Sequence, residues 1–190
     1  LSAQLKVYGF LREYPLFSLC GLNCGLCPRY QSAGESKCPG CGGKDFHLLH
    51  PSCAVITCSK KHDNVEYCFE CKNYPCDRYS VPSEKDSFIT YRKVQTDMHK
   101  AFSAGIEKYQ AELNEKTAFL ELLINNYNDG RKKGFYCLAV SLLELTDLLD
   151  IKAQIEKLDE KKKKKEKLNL IEVWFEEKAK SNNIDLKLRK

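Results

Sequence analysis

At 190 residues and 43% hydrophobic content, the chain suits one ordinary domain, or one domain with a small appended module. No uninterrupted apolar run approaches the roughly 18 residues that cross a bilayer, and LSAQLKVYGFLREYP at the start lacks a signal-peptide core and cleavage site, so no membrane contact and a cytoplasmic location are expected. The net charge of +5 sits at one end: residues 151–190 carry 13 Lys+Arg against 8 Asp+Glu, and residues 1–150 carry 18 of each.

Residues 1–19 read as a short amphipathic helix, with Leu5, Tyr8 and Leu11 or Arg12 at helical spacing and Pro15 as its stop. Residues 20–80 show no sustained periodicity and are punctuated by Pro-Gly, Gly-Gly and Asp-Asn, which predicts an irregular module with few short strands. Ten of the eleven cysteines fall here, as Cys20, Cys24 and Cys27; Cys38 and Cys41; Cys53 and Cys58; and Cys68, Cys71 and Cys76.

From Ser83, a plausible N-cap, Phe88, Tyr91, Val94, Met98 and Phe102 recur at three- and four-residue steps and predict a helix that Gly105 kinks or ends. A second helix is predicted through Ile106, Tyr109, Leu113, Leu120, Leu123 and Tyr127, stopped by Asn128-Asp129-Gly130. A third, Phe135 to about Leu145, is apolar nearly all round and is expected at the centre of a small bundle. Thr146 is the expected cap of a fourth, in which Leu148, Ile151, Ile155 and Leu158 form a coiled-coil seam ended by Lys161–Lys165. Leu168 to Ala179 completes the pattern, with Ile171, Trp174 and Phe175 closing against the bundle or a second subunit.

The cysteine spacing is that of a metal centre. A tetrahedral ion takes thiolates from two knuckles, each a tight turn that aims two sulfurs at one point about 2.3 Å from the metal. Cys38-Pro39-Gly40-Cys41 has the turn residues of a knuckle, Cys68-Phe69-Glu70-Cys71 has its spacing, and Cys53 and Cys58 lie within the ligand range. An odd count in closely spaced groups also argues against a disulfide framework. Ten thiols make two closed four-thiolate zinc sites with two left over, or three sites if His47, His50 or His62 take part. Pairing could be sequential, Cys24/Cys27 with Cys38/Cys41 and Cys53/Cys58 with Cys68/Cys71, or interleaved. Two loaded zinc sites would make this otherwise neutral part acidic, which weakens a nucleic-acid reading that needs basic surface.

No His-Glu-x-x-His, phosphate-binding glycine loop or nucleophile elbow is present, so no catalytic residue is assigned. Cys137 lies among apolar residues and reads as an inert core thiol, while Arg131–Lys133 reads as a solvated turn.

Cys20-Gly21-Leu22-x-Cys24-x-x-Cys27-Pro28, then Cys38-Pro39-Gly40-Cys41, then Tyr67-Cys68-x-x-Cys71-x-x-Tyr74-Pro75-Cys76 resemble the cysteine framework of domain of unknown function 3795, a prokaryotic family. Gly130-Arg131, Phe135-Tyr136-Cys137-Leu138-Ala139 and Leu142-Leu143 extend the resemblance, so that it covers about residues 18–145. It implies a bacterial or archaeal zinc-binding protein, and no reaction.

The expectation is a mainly α protein with four parts: an N-terminal helical segment (1–19), a cysteine-rich zinc module (20–80), a helical bundle (83–145) and a lysine-rich helical extension (146–190). Its expected role is a binding or adaptor module with structural zinc, meeting a protein partner or a second copy through the C-terminal helices. Two alternatives stay open. One is an iron–sulfur redox or metallo-enzyme using Cys20, Cys24, Cys27 and a distal cysteine such as Cys76; the other is nucleic-acid binding through the basic tail.

Overall fold

The computed structural model describes residues 10–35, 37–50, 52–80 and 83–190. The chain is mainly helical, and among the described residues the expected short strands reduce to one antiparallel bridge between Phe17 and Asn23. In the cysteine-rich part, three short helices, α1 (Phe46–Leu49), α2 (Ala54–Ser59) and α3 (Asp77–Ser80), alternate with 3-10 turns at Cys24–Leu26 and Cys68–Glu70. Five longer helices follow: α4 (Val94–Ala104), α5 (Ile106–Tyr127), α6 (Lys133–Leu142), α7 (Leu145–Glu156) and α8 (Lys164–Ser181).

The hub is α5, which packs against α4, α6, α7, α8 and the Cys24–Leu26 turn. Its buried face carries Tyr109, Leu113, Leu120 and Leu123, as its periodicity predicts. Gly105, at φ 89°, separates α4 from α5 in a conformation that L side chains rarely adopt. The predicted all-round burial of α6 is present, with every residue from Tyr136 to Leu142 inside. One apolar core joins this helical body to the cysteine-rich part, because Phe17, Leu26, Tyr67 and Tyr79 pack into the cluster that holds Leu120, Tyr136 and Phe175.

Several expectations change. The first half of the expected helix at 1–19 lies outside the described residues, and residues 10–19 are turns and extended chain. The Arg12 side chain is fully buried there instead: it pairs with Glu66 at 2.8 Å, donates to the Phe17 carbonyl at 2.6 Å and lies 4.5 Å over the Tyr67 ring. The helix expected from Ser83 starts only at Val94. Asp86 is the reason. Its side chain is fully buried, accepting from the Tyr91 amide at 3.0 Å and from Arg189 Nη2 at 2.8 Å, which holds residues 86–91 in a loop. Phe88 and Phe102, expected on the buried face, are exposed; Phe88 stacks under Arg29 and Phe102 meets the edge of Phe69.

Glu144, not Thr146, stands at the N-cap of α7, held by Lys93 at 2.5 Å and Lys100 at 3.3 Å. The seam Leu148, Ile151, Ile155 packs inside the chain's own core, as do Ile171 and Phe175 of α8, with Leu158 and Trp174 at its margin. Beyond α8 the chain folds back as a strap, with Arg92 donating to the carbonyls of Asp185 at 2.6 Å and Lys187 at 2.8 Å. Among the described residues no helix is long and apolar enough to cross a membrane.

Candidate metal centre

The ten cysteines of residues 20–76 divide into two neighbourhoods, built by short turns that the helical body supports from one side. In the first, the turn Cys24–Leu26 leans on α5 and α6, and Gly25 sits so close to the helices that an added Cβ would lie 2.8 Å from Thr117 Oγ1. The Cys24 thiol is near those of Cys41, Cys20 and Cys27, and Cys27 is near Cys38. The Cys41 amide donates to the Cys24 sulfur, and the amides of Arg29 and Tyr30 donate to the Cys27 sulfur. Amides two and three residues beyond a cysteine, turned onto its sulfur, are the backbone arrangement of a zinc knuckle. Gly40 makes the Cys38–Cys41 turn possible: at φ +84°, a Cβ there would stand 2.4 Å from the Pro15 carbonyl oxygen.

The second neighbourhood is a small, partly open cavity of about 30 Å³, whose lining includes Cys58, Cys68, Cys71, Cys76 and His62. Three separate pieces of chain supply these side chains. Cys58 comes from α2, Cys68 and Cys71 flank the second 3-10 turn, and Cys76 precedes α3. Glu70 fixes that turn by accepting from the Glu66 and Tyr67 amides at 2.9 and 3.1 Å. Tyr79, folded back by α3, donates to the Cys20 carbonyl at 3.3 Å, and its hydroxyl lies beside the Cys68 sulfur. His62 Nδ1 lies 3.0 Å from the Cys58 carbonyl and 3.7 Å from its sulfur.

Cys20 and Cys53 stand between and beside these groups. Cys20 is near Cys24, Cys41, Cys53 and Cys68, and accepts or donates a 3.1 Å contact with Ser18 Oγ. Cys53 packs against the small cluster of Phe46 and Ile56. His50 stacks on Phe46 at 4.8 Å, does not line the cavity, and has its pKa lowered by burial and by Arg29.

Burial pushes the Cys24 thiol well up, and pushes Cys41 and Cys68 to about 11. The neighbouring thiols add to the rise in each case. Crowded, desolvated thiols of this kind stay protonated on their own, and a divalent cation among them reverses the balance by stabilising several thiolates at once. Among the described residues, no three His, Cys, Asp or Glu side chains already converge to hold an ion. The donor set and the water-sized cavity nevertheless fit a thiophilic cation, since a thiol has one χ1 rotation with which to turn inward. Cys137 neighbours Cys27 but is buried in α6, and burial, with Cys27 adding to the rise, lifts its pKa to about 12, the state of an unreactive core thiol.

The role of Tyr79 was not read from the sequence, although its position three residues after Cys76 would turn it back over that cysteine on one helical turn. Three arginines near it were also missed, because they come from positions 78, 92 and 189 and no local pattern joins them.

No curated protein and no solved structure matches the chain. Residues 16–81 match the family described as Protein of unknown function (DUF3795). That stretch takes in every one of the ten clustered cysteines and ends within a residue of α3, while the resemblance read at 130–143 lies outside it. Over residues 16–81, therefore, this chain is similar to the family of unknown function 3795.

Proposed function

We propose that residues 20–76 bind two structural zinc ions and that the loaded module serves as a binding or adaptor surface fixed to the helical body. The observation that carries this reading is the one cavity that Cys58, Cys68, Cys71 and Cys76 line from three pieces of chain. Four thiolates would close one tetrahedral site there and leave no open position for a substrate, which is the donor set of a structural zinc. Cys24, Cys27, Cys38 and Cys41 would hold the second ion, in the sequential pairing that the Cys24–Cys41 and Cys27–Cys38 proximities support.

Zinc would supply what the local sequence lacks. The cluster of Phe46 and Ile56 is a small core for so much irregular chain, and a structural zinc contributes about 10 to 16 kcal/mol of apparent binding energy toward ordering such a segment. Leu48 and Leu49 of α1 are exposed, which supports a protein partner meeting the module.

Anaerobic purification followed by metal analysis and a visible spectrum tests the proposal. It predicts colourless protein with about two zinc ions per chain. Brown protein with iron and sulfide would overturn it in favour of a redox cluster.

A further inference from the structure

A second cavity, of about 380 Å³, opens between α3, the first turn of α4 and the C-terminal strap. Its lining carries three guanidinium groups, from Arg78, Arg92 and Arg189, and no carboxylate. Behind them, buried Asp86 pairs with Arg189 at 2.8 Å and Arg92 at 3.8 Å, and so compensates one of these charges. Arg78 forms no ion pair among the described residues, and with Asp185 the other carboxylate whose charge acts on Arg92, three guanidinium groups face two carboxylates around one cavity.

Two of the arginines are held in place before any ligand arrives. Arg92 is fixed by the strap carbonyls of Asp185 and Lys187, and Arg189 by both oxygens of Asp86. Each keeps N–H groups beyond those bonds, and Arg78, exposed on α3, keeps all of its own. The other walls are the rings of Tyr79 and Tyr91 and the apolar side chains of Leu22 and Val94. Guanidinium forks recognise phosphate and carboxylate oxygens in pairs, and the cavity volume is within the range of small-molecule sites.

We propose that this cavity is a binding site for a small organic phosphate monoester with a flat, unsaturated body. The dianionic phosphate meets Arg78 and the fixed pair Arg92 and Arg189, and the flat body lies against the tyrosine rings and the apolar wall. Three guanidinium groups in a lining without a carboxylate favour a phosphate dianion over a carboxylate of one charge. The site adjoins the proposed zinc module, since Cys20 lines it and Arg78 and Tyr79 line both cavities, but the anion contacts come from arginines and not from thiols.

The test is isothermal titration calorimetry of the full chain, as purified, with phenyl phosphate, benzoate and benzyl alcohol at 150 mM salt. Phenyl phosphate is expected to bind with one-to-one saturation, about tenfold or more tighter than benzoate, and benzyl alcohol to give no saturable heat. Arg78→Ala is expected to weaken phenyl phosphate about tenfold or more at an unchanged melting temperature, and Arg78→Lys to restore part of the loss. The proposal is overturned if phenyl phosphate fails to saturate at millimolar concentration, if benzoate or benzyl alcohol binds as tightly, or if Arg78→Ala leaves the affinity unchanged.

Discussion

Asn23, in the cysteine-rich part, donates from Nδ2 to Asp97 Oδ2 on α4 at 2.9 Å, and both side chains are buried. Tyr109 of α5 donates to the other end of the same amide at 3.0 Å. One asparagine thus ties the cysteine module to two helices through a buried polar contact. Such a contact fixes how the two parts meet more than it stabilises them.

Asp97 carries a pH dependence with it. Burial raises its pKa to about 6, against the opposing fields of Lys116 and Lys93 and the Asn23 hydrogen bond, with Glu144 adding to the rise. The folded protein therefore holds this proton more tightly than the unfolded chain does. The corresponding stability is full below the ordinary carboxylate range and is lost as pH rises toward and through about 6. Asp97→Asn keeps an acceptor for Asn23 and removes the titration. Its stability relative to the wild type is expected to rise by about 2 to 3 kcal/mol between pH 4 and pH 7, read from urea midpoints of the two proteins side by side.

Lys116 is nearly as buried as Asp97, and its Nζ donates to the Leu143 carbonyl at 2.8 Å, at the C-terminal end of α6. Lys116→Met fills the space but leaves that carbonyl without its donor and Asp97 with Lys93 as its remaining compensating cation. A loss of about 2 to 4 kcal/mol is expected in denaturant unfolding at pH 7. The loss is expected to be smaller at pH 4, where Asp97 is protonated.

Gly40 and Gly34 both have φ near +85°, but their surroundings differ. A Cβ on Gly40 would press into the Pro15 carbonyl, the acceptor of the Cys41 amide at 2.8 Å, whereas nothing lies within 4 Å of one on Gly34. Gly34→Ala is expected to cost about 1 kcal/mol from backbone strain alone. Gly40→Ala is expected to cost several times as much, at about 3 kcal/mol or more, and to lower the metal content of purified protein, because the carbonyl and the Cys38–Cys41 turn must move together.

Phe175 of α8 is fully buried against Phe119, Phe135 and Tyr136, at ring separations of 6.4, 5.9 and 6.0 Å. Phe175→Ala is expected to destabilise the protein by about 3 to 5 kcal/mol, whereas replacing the exposed run Lys161–Lys165 with serine is expected to change stability by less than about 1 kcal/mol. Thermal melts of the two variants check the contrast.

The helices from Ile106 onward were legible in the sequence, because each carries its own apolar period and a local stop, such as Gly105 before α5 and Asn128-Asp129-Gly130 after it. Residues 83–93 were not. Phe88 and Tyr91 continue the helical step into Val94, but Asp86 is captured by Arg189, a partner 103 residues away that no local window contains. The seam of Leu148, Ile151 and Ile155 reads the same whether its partner is another chain or α5 and α8 of its own, and here it is the latter. The cysteine spacings announced knuckles, yet spacing alone does not say which turns face each other. Cys76 lines one cavity with Cys58, Cys68 and Cys71 because α2, the second 3-10 turn and α3 are brought around it, while Cys53 is drawn to Phe46 and Ile56.

The most direct test of the metal proposal is zinc content per chain in Cys76→Ser and Cys53→Ser beside the wild type, with circular dichroism to confirm that each is folded. If Cys58, Cys68, Cys71 and Cys76 share one ion, Cys76→Ser is expected to lose about one zinc of two, and Cys53→Ser to keep both. Full zinc content in Cys76→Ser, or loss of an ion in Cys53→Ser, would contradict that assignment.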